Sequence, residues 1–243
     1  MNEGRVAGFA ASGGSQPHRF GFPPALMMFD LDGTLIDSVW IYYAIVGKVM
    51  ESLALPPVTR EQISEANREG KFLWEKLFPE ALFRQRPELK ELAWQRAREL
   101  APDFFNQRIE LLPEVAPAIE QIGNTGCKMA IVTSTPRANL AVKLEPLQRA
   151  GILSHFASII AADDTAAVKP SPIPLLECCR QMETQPRDSA YIGDTRVDLI
   201  AGRTAGCRTI GVLTGFDDRE LLAREEPDLI IADLTELAET LGI

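Results

Sequence analysis

Short, uninterrupted apolar runs recur along this chain, and each leads through a polar residue or turn into a stretch with helical spacing. The runs cover residues 26–29, 128–132, 158–161, 190–193, 209–212 and 229–231. Continuous apolar runs are typical of parallel strands, which are buried on both faces. Helix-like segments follow four of these runs, near residues 136–150, 172–182, 197–205 and 234–241. This alternation predicts an α/β fold built on a doubly wound, Rossmann-like parallel sheet.

The alternation stops between about residues 39 and 111, where helical periodicity continues without a convincing strand. Thr59 and Gln62 have the spacing of a capping box, and Pro87 precedes an acidic first turn. We therefore expect an all-helical cap over residues 39–111, inserted into an α/β core made of residues 25–38 and 112–243. Residues 1–24 are rich in Gly, Ser and Pro, which is typical of a flexible leader.

Net charge and hydropathy limit the classes of partner. The formal charge of −9 repels nucleic acid and anionic lipid at long range, so we expect neither as a partner. No apolar run is long enough to cross a bilayer, and the first two dozen residues lack the apolar stretch of a secretory signal. The expected location is the cytoplasm, and the expected partner is a small molecule.

Polar side chains follow several of the predicted strands. Asp30, Thr133, Asp163 and Asp194 stand at or just beyond strand ends, and the carboxyl ends of parallel strands share one edge of a sheet. Asp32 lies two residues after Asp30, so in extended chain both carboxylates face the same side. Paired carboxylates repel each other unless a cation joins them, and oxygen ligands favour a hard ion such as Mg²⁺.

Lys169 is followed by Pro170 and Pro172, which restrict the backbone of its loop and can place an ammonium group before the next helix. Thr133 offers a hydroxyl at its strand end, although Ser134 and Thr135 offer the same group. A carboxylate nucleophile, a second carboxyl for proton transfer, a metal, a lysine and a hydroxyl together suit phosphoryl transfer.

These residues resemble the haloacid dehalogenase-like hydrolase superfamily, phosphatase branch. Residues 29–38 are similar to its first motif, and Thr133, Lys169 and residues 193–198 match the other three in order. The helical insertion corresponds to the mobile cap of that branch. Among subgroups, the chain looks most like the phosphoglycolate phosphatases.

The resemblance implies a two-step reaction at the first motif. Asp30 would attack phosphorus and become an aspartyl phosphate. Asp32 would protonate the leaving alkoxide and then, as a carboxylate, activate the water that hydrolyses this intermediate. Mg²⁺ would bind Asp30, the backbone carbonyl of Asp32, and Asp194.

The resemblance also assigns supporting roles. Thr133 and Lys169 would bind phosphoryl oxygens and offset charge in the transition state. Asp198 would orient Lys169 or metal-bound water; the rival explanation is that it complements the charge at a helix N-terminus.

The substrate implied is a small phosphorylated metabolite of the phosphoglycolate type. Arg68 and Lys71 lie in a break between helical stretches of the cap and are candidates for substrate specificity, or else solvated charges at helix ends. Two other functions remain open: a phosphosugar mutase with the same aspartate pair, and a non-catalytic binding protein on the same fold.

Overall fold

A parallel sheet forms the core of the computed structural model, which describes residues 24–66, 72–105 and 109–241. All of its neighbouring strands pair in parallel, and their order is β3-β2-β1-β4-β5-β6. The strands are β1 Leu26–Phe29, β2 Lys128–Val132, β3 Phe156–Ile160, β4 Ser189–Gly193, β5 Arg208–Val212 and β6 Leu229–Ile231. The predicted doubly wound parallel sheet is confirmed.

The third strand differs most from its prediction, because it begins at Phe156 rather than at residue 158. It is an edge strand, and Ala157 within it is exposed. An edge strand is buried less completely than a central one, so its apolar run is interrupted.

Helices cover both faces of the sheet. In chain order they are α1 Val39–Ser52, α2 Arg60–Ala66, α3 Glu80–Gln85, α4 Leu89–Phe105, α5 Val115–Asn124, α6 Leu140–Arg149, α7 Ile173–Gln181, α8 Arg196–Ala205, α9 Arg219–Ala223 and α10 Leu234–Leu241. Alternate residues of β1 point to opposite faces. Met27 and Phe29 belong to one buried cluster, which includes residues of α5 and α10, whereas Leu26 and Met28 belong to a second with residues of α7 and α8.

The helical insertion predicted between the first two strands is also confirmed, and α1 packs against α4 within it. Thr59 and Gln62 form the expected reciprocal cap: the Gln62 backbone N–H donates to Thr59 Oγ1 at 3.3 Å, and the Thr59 N–H donates to Gln62 Oε1 at 2.8 Å. No helix in the described part of the chain is both long and apolar enough to span a membrane.

Two short segments join the insertion to the sheet and are hydrogen-bonded to each other. The Asp37 N–H donates to the Glu110 carbonyl at 3.0 Å, and the Leu112 N–H donates to the Leu35 carbonyl at 3.2 Å. The exact extent of the cap, residues 39–111, stays a prediction. Most of the predicted leader, residues 1–23, lies outside the described residues.

Candidate functional site

Loops at the carboxyl edge of the sheet surround a cavity of about 460 Å³ that also contacts the helical insertion. Asp30 follows β1, Thr133 follows β2 and Asp194 follows β4, while Lys169 comes from the loop before α7. The central position of β1 between β2 and β4 explains this convergence. All four side chains are buried and line the cavity.

Lys169 lies between two carboxylates. Its Nζ donates to Asp30 Oδ1 at 2.7 Å, to Asp198 Oδ1 at 2.6 Å and to the Tyr191 hydroxyl at 2.8 Å. Burial alone would lower the pKa of Lys169, but the charges of Asp198 and Asp30 outweigh it and raise the pKa above its ordinary value. Lys169 is therefore a fixed cation, with its three ammonium hydrogens matched by three acceptors.

Asp198 uses its two oxygens for different purposes. Oδ1 accepts from Lys169, whereas Oδ2 accepts from the Thr195 backbone N–H at 3.1 Å and from the Thr195 hydroxyl at 2.5 Å. The Thr195 hydroxyl in turn accepts from the Asp198 N–H, which completes a capping box at the start of α8. The geometry thus accommodates both interpretations of this residue, the helix cap and the contact with Lys169.

Asp194 is completely buried and closely surrounded by backbone. Its Oδ1 lies 3.3 Å from the donating Thr34 hydroxyl, and its Oδ2 accepts from the Phe216 N–H at 2.8 Å. A Cβ atom at Gly215 would lie 1.8 Å from Asp194 Oδ2, and one at Gly33 would lie 2.6 Å from it. Gly33 also has a φ of 77°, which disfavours other residues there.

Asp30, Asp194 and Asp198 form a cluster suited to a divalent cation. Each offers an oxygen, and these oxygens lie within 4.8 Å of one another. Burial raises the pKa of Asp30 to about 7, with Lys169 opposing the rise and Asp198 adding to it. Burial, together with the charges of Asp198 and Asp30, also raises the pKa of Asp194. An all-oxygen donor set with excess negative charge fits a hard divalent ion.

The Asp32 carboxylate lies apart from that cluster and has its own set of donors. It accepts from Ser38 Oγ at 2.6 Å, from Thr135 Oγ1 at 2.9 Å, and from Lys143 Nζ at 2.8 and 2.7 Å. Burial acts to raise the pKa of Asp32, but the charge of Lys143 and these hydrogen bonds lower it below its ordinary value. Asp30 and Asp32, two residues apart in the chain, therefore have opposite pKa shifts.

Lys143 is a site residue that the sequence reasoning missed. It is 3% exposed, and its Nζ also contacts the Tyr42 hydroxyl at 2.9 Å and lies 4.9 Å from the centre of the Phe105 ring. A lysine in an amphipathic helix usually faces solvent, so its presence there does not by itself indicate a site. The spacing of the residues could have indicated that Lys143 is buried, because Leu140, Lys143 and Leu147 share the buried face of α6.

The three hydroxyls after β2 have different surroundings. Thr135 donates to Asp32, whereas Thr133 accepts from the Thr135 N–H at 3.1 Å and lines the cavity, as does the exposed Ser134. Asp163 accepts from the Arg137 N–H at 2.7 Å and does not line the cavity. The structure thus places Thr133, but not Asp163, with the predicted site residues.

Two predicted specificity residues, Arg68 and Lys71, lie outside the described residues. The metal set that the family resemblance implies consists of Asp30, Asp194 and the backbone carbonyl of Asp32, without Asp198. That assignment and the catalytic roles of the individual residues stay predictions.

A family model described as haloacid dehalogenase-like hydrolase matches residues 27–212. A phosphoglycolate phosphatase of Vibrio vulnificus is 30% identical over 221 residues, which cover 88% of this chain and 94% of that protein. A phosphoglycolate phosphatase of Yersinia pseudotuberculosis is 28% identical over 219 residues, covering 88% and 92%.

Solved structures share the fold. A hydrolase from Pseudomonas syringae has a TM-score of 0.70 at 24% identity and covers 89% of this chain and 97% of its own. A haloacid dehalogenase-like hydrolase from Streptococcus pneumoniae has a TM-score of 0.71 at 20% identity, covering 88% and 96%. These likenesses establish the fold that brings the strand ends together.

Replacing Gly215 with alanine should displace the Asp194 carboxylate, because the new methyl group would overlap it. We expect the free energy of unfolding, measured by urea denaturation, to fall by about 1–3 kcal/mol. Gly47→Ala is the matched control, since Gly47 is an exposed position in α1 where an added Cβ atom would meet nothing within 4 Å. That control should be neutral or stabilising by up to about 1 kcal/mol. Equal effects of the two substitutions would contradict the packing of Asp194 against Gly215.

Replacing Lys143 with methionine should destabilise the protein by about 3 kcal/mol near neutral pH, because it leaves the Asp32 carboxylate, whose side chain is only 13% exposed, without its cation. Burial then dominates and raises the pKa of Asp32. A buried acid with a raised pKa destabilises the fold when ionised, so the deficit should be largest at pH 8 and shrink towards pH 5. In the unmodified protein the lowered pKa leaves the contribution of Asp32 constant over this range.

The measurement for Lys143→Met is urea denaturation in EDTA from pH 8 to pH 5. Lys48→Met is the control, since Lys48 is exposed and pairs with Glu51 on the surface; its effect should stay within about 0.5 kcal/mol. A deficit that does not change with pH would show that Lys143 contributes packing alone.

Proposed function

Because the chain belongs to the haloacid dehalogenase-like hydrolase family, we propose that it is a Mg²⁺-dependent phosphatase that hydrolyses a small phosphomonoester through an aspartyl phosphate on Asp30. The observation that carries the proposal is the position of Asp30, which shares one cavity with a lysine, a hydroxyl and a second carboxylate. Each of these groups has a separate part in phosphoryl transfer.

Asp30 is the proposed nucleophile. Its Oδ1 is held by Lys169, whereas Oδ2 accepts no hydrogen bond from the described residues. In the first step an Asp30 oxygen forms a bond to phosphorus while the bond from phosphorus to the ester oxygen breaks. In the second step water attacks the same phosphorus, the bond from phosphorus to Asp30 breaks, and inorganic phosphate leaves.

Asp32 is the proposed acid and base. Its four hydrogen bonds hold the carboxylate in place and keep it anionic, which suits the second step, in which it accepts a proton from water. In the first step it has to carry a proton for the leaving alkoxide. The negative charge of a bound phosphate ester raises the pKa of a neighbouring acid and so favours this protonated form.

The remaining charges serve the phosphoryl group. Thr133 and Lys169 would bind its oxygens, and Asp198 would orient Lys169. Asp30, Asp194 and the backbone carbonyl of Asp32 would hold Mg²⁺, which when bound neutralises charge on the carboxylates and the phosphoryl oxygens. The excess of buried carboxylate over lysine at the cluster supports a cation there.

The names of the relatives make 2-phosphoglycolate the first substrate to test. If 2-phosphoglycolate proves to be the preferred substrate, Arg68 and Lys71 are the residues of the cap, which would extend over residues 39–111, that would contact its carboxylate. The intact set of Asp30, Asp32, Lys169 and Asp194 supports an enzyme rather than a binding protein.

Asp30→Asn should abolish phosphate release, because an amide is a poor nucleophile and cannot form the aspartyl phosphate. The assay is release of inorganic phosphate from 2-phosphoglycolate, sugar phosphates, nucleoside monophosphates and pyrophosphate, with Mg²⁺ or with excess EDTA. Asp188→Asn is the matched control, since Asp188 is exposed and lies at the opposite edge of the sheet, before β4. We expect a loss of at least about 10³-fold for Asp30→Asn and an unchanged rate for the control. Unchanged release by Asp30→Asn would contradict the proposal.

Mg²⁺ should stabilise the protein against unfolding, and more strongly at pH 8 than at pH 6. The pKa of Asp30 is about 7 without metal, so at pH 6 binding has to displace a proton. We expect the affinity, measured by the Mg²⁺ concentration dependence of the melting temperature, to fall by about tenfold or more between these pH values. Asp194→Asn should remove the response and Asp188→Asn should keep it. A response that does not depend on pH would argue against binding at this cluster.

A further inference from the structure

We propose that the alcohol part of the substrate is apolar and preferably carries a ring, which the aromatic side of the cavity binds. This inference rests on the proposed phosphatase function and names the substrate class of the same site.

The two sides of the cavity differ in chemistry. The sheet side presents the charged groups around Asp30, and the opposite side, from the helical insertion, is lined largely by apolar side chains, among them Ile45, Ile63, Phe72, Trp74, Trp94 and Phe105.

The aromatic residues hold one another in place. The ring centres of Phe72 and Trp74 are 4.8 Å apart, those of Trp74 and Trp94 are 6.1 Å apart, and those of Phe72 and Trp94 are 6.4 Å apart, all edge to face. Such pairs are mutually stabilising, and rings fixed by one another lose little entropy when a ligand binds. The insertion thus offers a preorganised apolar surface opposite the phosphate-binding groups.

Trp74 carries a second indication of a ligand. It is 1% exposed and lines the cavity, and its Nε1–H has no hydrogen-bond partner among the described residues. A buried donor without an acceptor is unfavourable by about 1–3 kcal/mol. An alcohol with an oxygen or nitrogen acceptor beyond its apolar part would supply the missing partner.

The distribution of charge on the insertion side of the cavity also favours an apolar substrate group. Among the described lining residues that belong to the insertion, Arg98 is the only cation, and it already pairs with Glu91 at 3.0 Å with its side chain 63% exposed. A substrate carboxylate placed against Trp74 and Trp94 would lose its hydration, and none of the described residues of the insertion would supply a buried cation in return, which is unfavourable. An apolar group there gains free energy from burial.

The cavity is also large enough for such a group. At about 460 Å³ it lies within the range of pockets that enclose drug-sized ligands, about 300–1,000 Å³. A short hydroxy acid esterified to phosphate would leave much of the aromatic surface uncovered.

The experiment compares primary-alcohol esters of phosphate, so that the leaving group stays similar while the apolar part grows. The substrates are ethyl, butyl, hexyl and benzyl phosphate, with 2-phosphoglycolate as the acidic reference, and the readout is kcat/KM for release of inorganic phosphate. We expect kcat/KM to rise about threefold for each added methylene. Benzyl phosphate should exceed 2-phosphoglycolate by tenfold or more.

A pair of variants tests whether the preference for an apolar substrate depends on the aromatic side of the cavity. Trp94→Ala should lower the ratio of kcat/KM for benzyl phosphate to kcat/KM for ethyl phosphate about tenfold. Phe83→Ala is the matched control, because Phe83 belongs to the same aromatic cluster through Phe78 but does not line the cavity. The ratio of the two substrates should stay constant in the control even if the variant is less stable, since both rates then fall together.

The outcomes separate the two proposals. A flat alkyl series with 2-phosphoglycolate preferred would overturn the apolar substrate class and leave the phosphatase in place, and it would favour substrate contacts from Arg68 and Lys71. An unchanged substrate ratio in Trp94→Ala would overturn the aromatic binding site. Absence of phosphate release from every compound would overturn the phosphatase proposal, and the substrate class with it.

Discussion

Burial of several carboxylates at one edge of the sheet is the condition on which the rest of the site depends. Asp30, Asp194 and Asp198 have oxygens within 4.8 Å of one another, and Lys169 lies among them as a compensating cation. Mutual repulsion would separate such groups unless the backbone held them. The strand ends, the capping box of α8 and the close approach of Gly215 supply that restraint, so much of the local sequence serves to keep unfavourable charges together.

Two lysines divide the carboxylates into groups with different behaviour. Lys169 contacts Asp30 but cannot offset burial and the neighbouring acids, so the pKa of Asp30 rises to about 7. Lys143 contacts both oxygens of Asp32 and, with two hydroxyls, lowers the pKa of that residue. Residues of one type, two positions apart, thus acquire opposite pKa shifts from their surroundings.

The sequence predicted what depends on local pattern. Central strands show continuous apolar runs, and polar residues that follow them meet at one edge, so the sheet and the convergence of Asp30, Thr133 and Asp194 were predictable. Lys169 was predictable as a loop cation, although its contact with Tyr191 depends on the packing of β4.

Features that depend on distant parts of the chain were not predictable. Lys143 contacts Asp32, which lies 111 positions away in the sequence. The helical pattern of α6 alone does not predict which residue Lys143 contacts. The aromatic side of the cavity likewise requires α4 to pack beside the turn at Trp74–Lys76, which no periodicity specifies.

Lys143 also joins two parts of the molecule that the chain connects only through a pair of short segments. It lies on α6 beside the sheet, yet it contacts Tyr42 of α1 and Phe105 of α4 while it binds Asp32. Protonation of Asp32 and displacement of the helical insertion therefore act on the same set of contacts. By thermodynamic reciprocity, if displacing the insertion changes the proton affinity of Asp32, then protonation of Asp32 changes the free energy of that displacement by the same amount.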